Sequence, residues 1–141
     1  MLKKIIKPET MERAKAVIQA HIGVEPVMTG RHFAWVEDGK LKAVIGLKRK
    51  SWFVTEICHF VVLPGYPHAV LQDAIRAVIE QVKTPTVMVA IPTRDHTTMS
   101  AFMDCGFITT AFGYRGHSPD DLLHAFNNAE GKDFHLLTLA V

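Results

Sequence analysis

TEICHFVVLPGYPHAVLQDAIRAVIEQV, residues 55–82, decides the fold. Thr55 to Leu63 is mostly apolar and rich in β-branched and aromatic residues, the composition of a strand covered on both faces. Pro64-Gly65-Tyr66-Pro67 breaks it, because prolines cannot donate ladder bonds and Gly65 admits torsions closed to other residues. Beyond the break the apolar period lengthens. Val70, Leu71, Ala74, Ile75, Val78, Ile79 and Val82 fall on one face of an amphipathic helix. Strand, turn and returning helix make half of a crossover between parallel strands. The opening amides of such a helix lack intrahelical partners and point past the end of the strand, a position that suits a phosphate.

Working outward, composition sets the class. A chain of 141 residues suits a single domain over 1–141 with a full core. With 48% hydrophobic and 21% charged residues it is of globular rather than disordered type. A net charge of +2 does not provide the basic face of a nucleic-acid binder. The densest basic run, Lys48-Arg49-Lys50, reads as a solvated turn. Apolar runs stay short of the ~20 residues of a membrane span, and MLKKIIKPET lacks the apolar core of a signal peptide. Cys58 and Cys105 sit among apolar residues, as buried, reduced thiols do. A cytoplasmic location is the expectation.

Upstream, Leu2–Lys7 reads as a short strand stopped by Pro8. Thr10 is placed to cap a helix with Met11, Ala14, Ile18 and Ile22 inward and Gly23 as its stop. His32–Val36 and Leu41–Leu47 form a hairpin around Glu37-Asp38-Gly39-Lys40. Downstream, Thr86–Ile91 is an apolar strand predicted to lie parallel to the 55–63 strand. The two should diverge toward Pro64 and Pro92. Thr93 or Asp95 caps a second helix with Met99, Phe102 and Met103 inward and Gly106 as a left-handed stop. Ile108–Tyr114 and Phe134–Val141 are strands, and Ser118-Pro119-Asp120-Asp121 opens a further helix that ends by Gly131. The order β-α-β-β-β-α-β-α-β-α-β describes an α/β sheet with hairpins first and crossovers later.

That order, with HFVVLPGY at 59–66 and FMDCGF at 102–107, resembles the GNAT superfamily of N-acetyltransferases over nearly the whole chain. The first motif looks like the family's V-x-P-x-Y strand end, the second like its Y-x-x-x-G-F helix end. The resemblance implies an α/β (α+β) fold: a mixed, mostly antiparallel sheet with a splayed parallel pair of central strands and flanking helices. The splay would hold the pantetheine arm of acetyl-CoA. The backbone of Val61, Val62 and Leu63 would pair with that arm, and amides from Tyr66 through His68, Ala69 and Val70 to Leu71 would take the pyrophosphate. Asp95 and Phe102 stand where the family carries an Asn and a Tyr. The partners implied are acetyl-CoA, as co-substrate, and an amine acceptor; a homodimer is one assembly open to such a chain.

Departures from the family pattern shape the chemistry. The pyrophosphate loop R/Q-x-x-G-x-G/A is degenerate here: Ala69 replaces a glycine and Pro67 removes a donor, which implies weak cofactor binding. Phe102 cannot protonate a thiolate as the family's Tyr does. Glu56 stands six residues before Val62, where several members carry a catalytic glutamate. By alternation Glu56, Cys58, Phe60 and Val62 share one face and His59 points the other way. A carboxylate among apolar neighbours suits a general base. Tyr114 and Tyr66 are the two phenols, and either is a candidate acid. The eight histidines include no H-x-x-x-H, and no C-x-x-C occurs, so no metal site is expected. Cys58 and His59, on opposite faces, make a poor nucleophile–base pair. The Gly116–Gly131 insert reads as a lid or partner surface. Two classes stay open: an N-acyltransferase with Glu56 as base, and a GNAT-fold module without catalysis that serves in binding or assembly.

Overall fold

Asp38 and Gly39 both take positive φ, 51° and 73°, and so form the tight turn whose twist matches two antiparallel strands. On either side run β2 (Arg31–Glu37) and β3 (Lys40–Arg49). The computed structural model describes residues 1–65, 68–114 and 134–141, without the side chains of residues 68, 69 and 111–114. The remaining elements are β1 (Leu2–Lys4), α1 (Pro8–Ile22), β4 (Val54–Val62), α2 (His68–Ile79), β5 (Thr86–Pro92), α3 (His96–Asp104), β6 (Ile108–Tyr114) and β7 (Phe134–Ala140). Among the described residues they build one seven-stranded sheet in the order β1-β2-β3-β4-β5-β7-β6. Its neighbours are antiparallel except for the central pair β4–β5, which is parallel as expected.

Two apolar layers hold the sheet. On one face Phe33, Ile45, Leu47, Ile57, Val87 and Val89 pack against Leu71, Ala74, Ile75 and Val78 of α2 and Phe102 of α3. On the other, Ala34, Val44 and Val61 pack against Ala14, Ile18 and Ile22 of α1. Ile18 and Ile75 are fully buried, and burying a side chain of that size stabilises the fold by about 1.5–3 kcal/mol.

The elements follow local chemistry, with three corrections. α1 opens at Pro8 behind an extended Lys7, so Thr10 lies inside the first turn and does not cap it. Proline's fixed φ and missing N–H suit the first helical position, where that donor has no partner anyway. Gly23 ends α1 at φ 80°, its N–H donating to the Gln19 carbonyl. Asp95 caps α3 by accepting from the Thr98 N–H at 3.1 Å, and Gly106 follows at φ 100°. The inner face of α3 is Met99, Ala101 and Phe102; Met103 is 49% exposed and does not face inward. The predicted strand Leu2–Lys7 narrows to Leu2–Lys4, although the Ile5 N–H still donates to the His32 carbonyl. The helix expected from Ser118 and the 116–131 insert lie outside the described residues.

Candidate active site

β4 changes character at Cys58. Up to that point Val54, Thr55, Glu56 and Ile57 pair in parallel with Thr86, Val87, Met88 and Val89 of β5. Beyond Ile57 and Val89 that ladder stops, and among the described residues β4 runs on to Val62 paired with β3 alone. The register against β3 shifts at the same place: Leu47 faces Ile57 while Gly46 faces His59, which leaves Cys58 as the extra residue of a β-bulge.

The bulge overturns the expected sharing of one face by Glu56, Cys58, Phe60 and Val62. Ile57 before it, and Phe60 and Val62 after it, pack on the α2–α3 side, whereas Val61 packs on the α1 side. Glu56, alternating with Ile57, belongs to the α1 side. A Cβ on Gly46 would lie 3.0 Å from Cys58 Sγ, so Cys58 shares the α1 side too. His59 joins it, its Nδ1 lying 3.0 Å from His32 Nε2. Counting by twos assumes one residue per partner, and the bulge supplies two.

Where the ladder stops, a narrow cleft of about 30 Å³ opens. Ile57 and Phe60 line it from β4, Val89 to Pro92 from β5, Asp95, Thr98 and Phe102 from the α3 side, and His21 from α1. Since α1 and α3 pack on opposite faces, the cleft reaches both faces of the sheet. Open backbone flanks it. The Leu63 N–H donates to the Lys42 carbonyl at 2.9 Å. Alternation therefore turns Val61 and Leu63 toward β3 and the Val62 peptide groups toward the unpaired edge.

The other predicted residues fall as follows. α2 is helical from His68, so the amides of His68, Ala69 and Val70 belong to its first turn, while Leu71 is buried in the core. Gly65 precedes them at φ 94°, a torsion that favours glycine. Tyr66 lies outside the described residues, as do the side chains of His68 and Ala69. Asp95 lines the cleft, but one carboxylate oxygen is engaged as the α3 cap. Phe102 is fully buried and packs edge-on against Phe60 and Phe107, each with ring centroids 5.0 Å apart. Tyr114 ends β6 opposite Phe134, and its side chain is outside the described set. Glu56 is 1% exposed, sits between Lys48 and Met88 in the closed part of the ladder, and does not line the cleft.

Two histidines escaped the sequence reading. His21 reaches the cleft from the last turn of α1, and nothing in its local sequence signals this. His32 stacks on His59, with centroids 5.3 Å apart and ring planes 30° apart. Burial pulls its pKa below the ordinary 6.5, so the ring is neutral near pH 7. Cys58 Sγ stands 3.9 Å from His59 Nδ1. The available signal was Gly46, a glycine inside an apolar strand, which marks close approach of other groups.

No family model matches this sequence, and no curated protein matches it. Solved structures do resemble it. An N-acetyltransferase from Staphylococcus aureus aligns at a TM-score of 0.72 and 13% identity over 99% of this chain and 96% of that one. A Bacillus subtilis acetyltransferase in complex with CoA gives 0.64 and 18% over 99% and 97%. A GNAT family acetyltransferase from Elizabethkingia anophelis with acetyl-CoA bound gives 0.62 and 11% over 100% and 97%. Together with the parallel β4–β5 pair in an otherwise antiparallel sheet, they show that the chain adopts the fold of the GNAT family acetyltransferases.

Proposed function

We propose that the protein is an N-acetyltransferase that moves the acetyl group of acetyl-CoA to an amine by direct attack on the thioester. The observation that carries this reading is the cleft where β4 and β5 part, followed along β4 by the Val62 backbone turned away from β3 and then by the opening of α2. That backbone suits the amides of a pantetheine arm, and the first-turn amides of α2 suit its pyrophosphate. Structural neighbours that hold CoA or acetyl-CoA support the same assignment.

In the proposed reaction the amine nitrogen attacks the carbonyl carbon, the C–S bond breaks and CoA leaves as its thiolate. Glu56 is assigned the ammonium proton, relayed through water, since its carboxylate does not line the cleft. The thiolate, whose conjugate acid has a pKa of roughly 8.5, needs no strong acid near neutral pH. Phe102 supplies none, and Tyr114 is the phenol assigned the acid's role.

Calorimetric titration with acetyl-CoA, followed by turnover on a panel of amines, tests the reading. A glycine-poor loop predicts weak binding, about −4 to −6 kcal/mol, in the high micromolar to millimolar range. Ala69→Glu, which brings negative charge to the opening of α2, should weaken it further. Glu56→Gln should keep binding and lower turnover about 10² to 10⁴-fold. Binding without turnover on any amine would favour the non-catalytic module; no binding at all would remove both.

A further inference from the structure

We propose that His32, Cys58 and His59 form a binding site for one zinc-like divalent cation, enclosed between the sheet and α1. The ligand atoms, one nitrogen from each imidazole and the Cys58 sulfur, all lie within 4.8 Å of one another. The measured pairs are 3.0 Å for His32 Nε2 to His59 Nδ1 and 3.9 Å for Cys58 Sγ to His59 Nδ1. Zinc bonds of about 2.0–2.1 Å to nitrogen and 2.3 Å to sulfur place tetrahedral ligand atoms roughly 3.3–3.7 Å apart. These two pairs bracket that range, which puts His59 Nδ1 within a few tenths of an ångström of the required spacing to each of its partners.

Two further features fit. The bulge puts consecutive residues Cys58 and His59 on one face, which a regular strand forbids. Gly46 keeps the middle of the cluster clear, since a Cβ there would stand 2.9 Å from His32 Nε2 and 3.0 Å from Cys58 Sγ. Two imidazoles and a thiolate select zinc or a similarly soft ion over calcium or magnesium, which take oxygen ligands. Three protein ligands leave the fourth tetrahedral position to a small exogenous group such as water.

On binding, the Cys58 S–H bond breaks, a sulfur–metal bond forms and the proton passes to solvent, with no change of oxidation state. All three side chains are at most 2% exposed, and none lines the β4–β5 cleft. The site is therefore independent of the acyl-transfer reading.

The test is anaerobic titration of the chelator-treated protein with Co²⁺, with Zn²⁺ as competitor. The expected result is one ion per chain, visible bands of a tetrahedral ion, an ultraviolet thiolate charge-transfer band, and displacement by Zn²⁺. Cys58→Ser should abolish the charge-transfer band and weaken binding at least 10- to 100-fold, the loss typical of even outer-shell changes. Gly46→Ala keeps every ligand but crowds their centre, and should weaken binding comparably. Circular dichroism identifies any variant that has not folded, and His32→Gln replaces it in the comparison. No stoichiometric binding by the parent would overturn the proposal, and so would an unchanged charge-transfer band in Cys58→Ser.

Discussion

Val54–Ile57 and Cys58–Val62 belong to one strand, but the first stretch is bonded on both edges and the second on one. The closed half is anchored by pairing with β3 and β5 together, and by a buried Thr55–Thr84 hydroxyl bond of 2.7 Å. The open half keeps its course through pairing to β3 and through packing, with Phe60 seated on Phe102. A strand that gives up one neighbour leaves backbone groups for a ligand, and side chains must then do what the ladder did. The open course of this half thus has a cost in local order, borne by a few aromatic contacts.

The largest test of that contrast is Phe102→Ala. Removing a fully buried ring that props the open half should cost about 3–5 kcal/mol in denaturant unfolding. A loss below ~1 kcal/mol would mean that packing does not sustain the open half. Hydrogen exchange should show the next effect. The Val62 amide, turned to the unpaired edge, should exchange at least about 100-fold faster than amides of the closed half, and acetyl-CoA should slow it selectively. Equal protection along β4 would erase the distinction between the halves.

A smaller effect belongs to Thr55→Val. Thr84 Oγ1 donates to the Thr86 carbonyl at 2.8 Å, so in the pair with Thr55 it accepts. The substitution removes that donor and should cost about 1 kcal/mol. An unchanged midpoint would show that the hydroxyl pair adds nothing to the closed half.

The smallest expected effect is a drift with pH. Burial lowers the His32 pKa from 6.5, so below that value the unfolded chain binds a proton that the folded chain refuses. Stability should be full above pH ~6.5 and should decline as pH falls from there toward the folded pKa. Urea midpoints between pH 7 and 5 measure it, with His32→Gln as the flatter comparison. Parallel curves for the two proteins would assign the drift to other groups.

Much of the fold was legible because local chemistry and tertiary demand agree. Asp38-Gly39 can hardly be anything but a tight turn, and the spacing of Leu71, Ala74, Ile75 and Val78 reports one buried helix face. The parting of β4 and β5 was expected at Pro64 and Pro92, but it begins earlier, past Ile57 and Val89, and Pro92 stays in β5 opposite Phe134. The bulge was not legible, for a physical reason. Residues from Thr55 to Val61 are buried on both faces, Phe60 nearly so, and a strand covered on both sides shows no polar–apolar phase to reveal a slip. The His32–His59 contact depends in turn on that slip and on the β2–β3–β4 register, which joins positions 27 residues apart. Thr10 misled because its capping chemistry is sound; Pro8 simply starts the helix sooner.

The order of strands has a consequence in time. β7 lies between β5 and β6, so the chain makes both flanking strands before the one that joins them. On a ribosome, β5 emerges with one edge bare, and β6 emerges with no sheet to enter. Leu137, fully buried in the main core, is synthesised after every other core residue of that layer. Until Phe134–Ala140 appears, the nascent protein carries strand edges of the kind that pair with other chains. Completion of this sheet is therefore a late event, decided by the seven residues of its penultimate strand.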